Sequence, residues 1–170
     1  MKARGLTLIE LLITLSILGI LLAIGIPSFQ QQLESSRTRS AADMLMGAIN
    51  LTRGKAVATN RRATMRKLGE WQSGWEVFID RDFDGERDTD EPPIATSSAL
   101  TGVTVTTNGP LANYVSFIGT GESRLAGTVS NGGFQAGSFT ICPETGGNGY
   151  QLILSRGGRV RIDTLSAADC

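Results

Sequence analysis

Gly5-Leu6-Thr7-Leu8-Ile9-Glu10, running into Leu11-Leu12-Ile13-Thr14-Leu15-Ser16-Ile17-Leu18-Gly19-Ile20-Leu21-Leu22-Ala23-Ile24-Gly25-Ile26-Pro27, is the stretch on which the reading of this chain turns. No charge falls between residues 11 and 33, and positions 11–26 are apolar apart from Thr14, Ser16 and two glycines. A helix rises ~1.5 Å per residue and a bilayer core is roughly 30 Å thick, so about 20 such residues span it. Lys2 and Arg4 precede the run and would hold that end in the cytoplasm, leaving the rest of the chain outside. A secretory signal peptide cleaved after Ala23 and a plain signal anchor both fit this much. Neither explains Glu10, because a carboxylate at the end of a membrane helix is costly unless it meets a cation or hydrogen-bond donors. Thr7 and Glu10 have the spacing of a T-x-x-E capping box over the first turn. Alternatively, removal of a basic leader at Gly5 would create an amino terminus at Leu6, four residues from Glu10 or facing that of a neighbouring copy. Opposite charges attract far more strongly there than in water.

Outward from this stretch, composition narrows the rest. A chain of 170 residues holds one full domain, or one domain plus an appended helix, and not two large domains. Sixteen basic side chains balance sixteen acidic ones, so any affinity for nucleic acid has to be local. There is no histidine and there are only two cysteines, which excludes Ser-His-Asp and Cys-His catalysis, histidine-ligated metals and a four-cysteine zinc site. No catalytic residue is assigned and the chain is expected not to be an enzyme. Twenty-one glycines with 19% charged residues point to a turn-rich, strand-rich body.

Beyond Pro27, which removes one helical hydrogen bond and bends a helix, the helical pattern resumes. Leu33, Ala41, Ala42, Leu45, Met46, Ile49, Leu51 and Val57 recur mostly at spacings of one, three and four, predicting an amphipathic helix to about Ala58. A helix of about 50 residues is ~75 Å long, more than a bilayer needs, so its second half must pack on a soluble domain. After Asn60 the period changes to two. Strands are expected over 63–68, 74–80, 103–107, 114–118, 127–130, 138–142, 150–155 and 159–164, separated by turns at Asn108-Gly109-Pro110, Asn131-Gly132-Gly133 and Arg156-Gly157-Gly158. The fold class is α+β, one long N-terminal helix packed on an antiparallel β-sheet domain.

The string from Gly5 to Glu10, the apolar run and Pro27 resemble the type III signal of type IV pilins and type II secretion pseudopilins. The whole layout, with Gly74-Trp75-Glu76-Val77-Phe78-Ile79-Asp80 and the closing Gly158-Arg159-Val160-Arg161, is similar to the GspH/FimT minor pilins and pseudopilins. Leu6 departs from the Phe or Met usual in the family. The resemblance implies a leader over 1–5 cut by prepilin peptidase after Gly5 and N-methylation of Leu6. It further implies a transmembrane and filament-core helix over 6–30 with Glu10 recruiting the subunit, an amphipathic second half over 31–60 and a periplasmic domain over 61–170. Such a subunit sits once through the bacterial inner membrane, joins other major and minor pilins or pseudopilins, and helps prime the filament of a type IV pilus or, alternatively, of a type II secretion system.

Cys142 and Cys170 would then face an oxidising compartment and are expected to pair, with two free thiols or an intermolecular bond as the alternatives. Asp80, Asp82, Asp84, Gly85 and Glu91 match the EF-hand loop D-x-D-x-D-G-x5-E, with seven acidic residues against two arginines across 80–91. A strand before the loop and Pro92-Pro93 after it replace the two helices of an EF-hand. A calcium site and a solvated acidic hairpin tip both remain open, and no cofactor is required. Basic residues gather at Arg53, Lys55, Arg61, Arg62, Arg66 and Lys67, and again at Arg156, Arg159 and Arg161. Arg159 and Arg161 would share one face of a strand and suit bidentate contact with successive phosphates. Their string resembles the GRxR motif of FimT-type minor pilins that bind double-stranded DNA in natural transformation. Ion pairing within the subunit or with a neighbour is the alternative.

Overall fold

The computed structural model describes residues 8–127 and 132–170, apart from the side chains at 24, 27 and 28. Gly5 and Leu6, and most of the strand expected over 127–130, lie outside these residues. The chain divides into two units, Met1–Glu34 and Ser35–Cys170.

In the first unit, α1 (Leu8–Thr59) begins its course with Glu10 in its first turn, and it passes through position 27 without a break. Its large apolar side chains, from Leu8 through Leu22 and again at Ile26 and Phe29, are all half exposed or more. The two hydroxyls in the run bond back into the helix, Thr14 Oγ1 to the Leu11 carbonyl at 2.8 Å and Ser16 Oγ to that of Leu12 at 2.8 Å. Neither interrupts an apolar surface. Among the described residues no helix is long and apolar enough to cross a membrane. The span expected over 6–30 rests on the apolar run of the sequence.

In the second unit the remainder of α1 buries Thr38, Ala41, Ala42, Leu45, Ile49, Thr52 and Ala56. Their spacings of three, one, three, four, three and four make one face. Leu51 and Val57, expected in that stripe, are exposed, and Thr52 and Ala56 take their place. Thr52 tolerates burial because its hydroxyl bonds the Ala48 carbonyl at 2.7 Å, which leaves its methyl for the core.

Among the described residues eight strands follow: β1 (Ala63–Lys67), β2 (Trp75–Ile79), β3 (Ala95–Thr96), β4 (Val103–Thr107), β5 (Tyr114–Phe117), β6 (Gly137–Pro143), β7 (Gly149–Leu154) and β8 (Val160–Leu165). They form two four-stranded antiparallel sheets, ordered β3-β2-β1-β5 and β4-β6-β7-β8. The two sheets share one core with the buried face of α1, including Met65, Val77, Val115, Phe139, Ile141 and Leu152. Trp71, in a 3-10 turn between β1 and β2, joins them: it meets Phe139 of β6 edge-on at 5.0 Å and its indole N–H donates to the Leu111 carbonyl at 3.0 Å. At Asn108-Gly109-Pro110 the chain turns between β4 and β5, as expected. A 3-10 turn over Gly109–Leu111 forms there, and Asn108 Oδ1 accepts the Ser138 amide at 2.7 Å.

Cys142 of β6 is disulfide-bonded to Cys170, so the C-terminus is tied to the second sheet across 28 positions of sequence.

Candidate functional site

The turn joining β7 to β8 is built around Ser155 and Arg159. The Ser155 amide donates to the Arg159 carbonyl at 2.9 Å, the Gly158 amide donates to the Ser155 carbonyl at 2.9 Å, and the Arg159 amide donates to Ser155 Oγ at 3.1 Å. Gly158 has φ +77°, and a Cβ there would collide with the Gly121 carbonyl and lie 3.1 Å from the Phe117 ring. Only glycine fits. From α1, Arg53 reaches both loops, donating from Nε to the Gly121 carbonyl at 2.9 Å and from Nη2 to that of Gly157 at 3.4 Å.

Arg159 and Arg161, both exposed, then line one groove of about 640 Å³ together with Arg53, Ile153, Ser155 and Gly157. Alternation along the two paired strands puts 153, 155, 159 and 161 on one face. Arg161 Nη2 lies 3.3 Å from Asp163 Oδ2 on the same edge strand, an exposed pair of small energetic value. Arg156 belongs elsewhere, its guanidinium 6.0 Å from the Phe134 ring.

Arg53 was visible in the sequence as part of a different basic cluster, and the fold disperses that cluster. Arg62 is buried at 3% exposure, where Nη1 donates to Ser116 Oγ at 2.7 Å and its guanidinium carbon sits 5.6 Å from the Phe83 ring centroid. Burial holds its pKa below the ordinary value, against the nearby charge of Asp80. Arg66 pairs with Glu86 at 2.6 Å and Lys67 with Glu70 at 3.4 Å. Arg53, Arg62, Arg66 and Lys67 are thus each engaged separately.

The acidic loop follows β2. Asp80, Asp82 and Asp84 each bring a carboxylate oxygen within 4.8 Å of the others. Asp80 is 1% exposed, and Oδ2 accepts the Thr64 hydroxyl at 2.9 Å and the Gly85 amide at 3.2 Å. Burial pushes its pKa up, opposed by the Thr64 hydrogen bond and the Arg62 charge. Gly85 has φ +79° and Phe83, a non-glycine in the left-handed region, φ +68°, so the backbone turns sharply under the three carboxylates. Glu91 stands apart from the trio: it is buried, and its Oε1 and Oε2 accept the Arg81 and Asp88 amides at 2.6 and 3.3 Å.

The family described as type II transport protein GspH matches residues 41–158, and the prokaryotic N-terminal methylation motif matches residues 1–26. Among solved structures, the type IV minor pilin FimU of Pseudomonas aeruginosa is similar at 20% identity and TM-score 0.61, over 76% of this chain and 90% of that one. A second crystal form of FimU is similar at 21% identity and TM-score 0.58, over 74% and 91%. The minor pseudopilin EpsH from the type 2 secretion system of Vibrio cholerae is similar at 11% identity and TM-score 0.53, over 75% and 96%. No curated protein matches the sequence. At these identities the structural likenesses establish the fold, a long N-terminal helix with antiparallel sheets.

Proposed function

This chain belongs to the GspH family, and from that premise we propose that it is a minor subunit of a type IV pilus that helps prime the filament. The family and the methylation motif together make it a minor type IV pilin or a GspH-like pseudopilin that assembles with other pilins. The observation that carries the proposal is the helix from Leu8 to Phe29, whose large apolar side chains are open all round it. A surface of that kind has to be covered, first by lipid and then by the helices of neighbouring subunits. Glu10 lies in the first turn, and in this reading it meets the amino terminus of a neighbour after prepilin peptidase cuts behind Gly5 and Leu6 is methylated. Mass spectrometry of filament-associated protein is expected to find a chain starting at N-methylated Leu6, and Glu10→Ala to be processed but absent from filaments. A mature chain still starting at Met1, or normal incorporation of Glu10→Ala, would refute this. Deletion separates the two machines: loss of pili and DNA uptake supports the pilus, loss of protein export the secretion system.

The groove at Arg53, Arg159 and Arg161 favours a second activity, binding of double-stranded DNA through its phosphates. Guanidinium groups at Arg159, just before β8, and at Arg161 within it match repeated phosphate oxygens, and such binding is independent of sequence and steep in salt. Gel-shift titration of the full chain in detergent is expected to show binding at low salt. Arg159→Ala with Arg161→Ala should flatten the slope of log K against log salt by about 2. Absence of binding at low salt, or an unchanged slope, would reject this site.

A further inference from the structure

Asp80 leaves one oxygen unaccounted for. Thr64 and Gly85 supply Oδ2, whereas Oδ1, in a side chain 1% exposed, has no hydrogen-bond partner. Folded proteins rarely leave a buried polar atom in that state without a partner of some kind. Its carboxylate neighbours are Asp82 and Asp84, and one oxygen from each of the three lies within 4.8 Å of the others. Oxygen ligands at 2.3–2.6 Å from a calcium ion are at most about 5 Å apart, so all three fit around one ion.

Most of the remaining groups nearby are committed, although the buried Nε of Arg62 has no hydrogen-bond partner either. Arg62, whose charge reaches Asp80, spends Nη1 on Ser116 Oγ and on the Arg124 and Leu125 carbonyls. Glu86 is paired with Arg66, Asp90 with Arg81 at 3.1 Å, and Glu91 holds two loop amides. Asp82 and Asp84 are exposed, which gives an ion and its waters a way in.

We infer that Asp80, Asp82 and Asp84 form a site for one calcium ion, with Asp80 as the buried anchor and the two exposed aspartates closing it from the solvent side. Water completes the six to eight oxygens that calcium takes. Bound there, the ion ties the loop after β2 to Asp80, at the end of a central strand of the first sheet.

The test is calorimetric and thermal titration of the full chain in detergent, dialysed against chelator and then supplied with calcium chloride at constant ionic strength. One ion per chain is expected, with a dissociation constant of roughly 10⁻⁴–10⁻³ M, the range of extracellular modules. The unfolding midpoint should rise and saturate with calcium, as binding to the folded state alone requires. Substituting Asp80 risks the fold itself, so the variants are Asp82→Asn and Asp84→Asn. Together they are expected to weaken calcium at least about tenfold and to remove the calcium-dependent rise while leaving the metal-free midpoint in place. No saturable calcium heat, affinity unchanged in the double variant, or magnesium binding as tightly as calcium would each overturn the assignment.

Discussion

Gly158 and Arg53 govern the arginine groove. Gly158 adopts φ +77° with the Gly121 carbonyl lying against its Cα, so the first letter of the GRxR string has a backbone role that any side chain would spoil. Gly158→Ala adds left-handed strain and overpacking against Phe117, and is expected to cost about 2–4 kcal/mol in chemical denaturation. Arg53 hydrogen-bonds one carbonyl on each side of that glycine's surroundings, which explains how a helix residue comes to share a groove with residues of the last hairpin. The glycine in the string was plain to read; its reason was not, because the clashing carbonyl belongs to a loop 37 positions away.

Among elements, β5 is the instructive one. It lies at the edge of the first sheet, where a strand would ordinarily present unpaired amides and carbonyls. Gln135, fully buried, takes the place of a neighbouring strand: its Oε1 accepts the Ser116 amide at 2.9 Å and its Nε2 donates to the Pro110 and Tyr114 carbonyls at 3.0 and 2.9 Å. Gln135→Ala strands a buried amide and two carbonyls, and a loss of about 2–3 kcal/mol is expected. Hydrogen exchange at the Ser116 amide should accelerate by the corresponding factor, whereas amides of β6 and β7 should change only as far as global stability does. No periodicity in the sequence marks Gln135 as buried. By contrast the strands over 63–67, 103–107 and 149–154 were legible from alternation and flanking turns, and β3, only two residues long, has too few positions to carry a pattern.

For the molecule as a whole, the Cys142–Cys170 bond closes a loop over 28 positions and ties down a terminus that would otherwise fray. Loop-closure entropy puts its contribution at about 3–4 kcal/mol. Reduction, or Cys170→Ser, is therefore expected to lower the thermal midpoint by roughly 6–16 °C for a chain of this size. A shift below a degree or two would mean that the reduced chain keeps its C-terminal segment docked without the bond. The apolar helix of the first unit should contribute little to that transition, since its large apolar side chains are exposed.

Local features were legible from the order of residues alone: where the helix begins its apolar course, where it ends near Thr59, where period two takes over, and which two cysteines were there to pair. They arise from neighbours a few residues apart, through helical and strand periodicity and the φ preferences of glycine and proline. Which charges meet was left to tertiary packing. It drew Arg53 away from the basic run and set it beside Arg159 and Arg161, buried Arg62, and gathered Asp80, Asp82 and Asp84 while turning Glu91 to the backbone. Such meetings depend on the register of strands and on contacts between segments up to a hundred residues apart, and no local period encodes them.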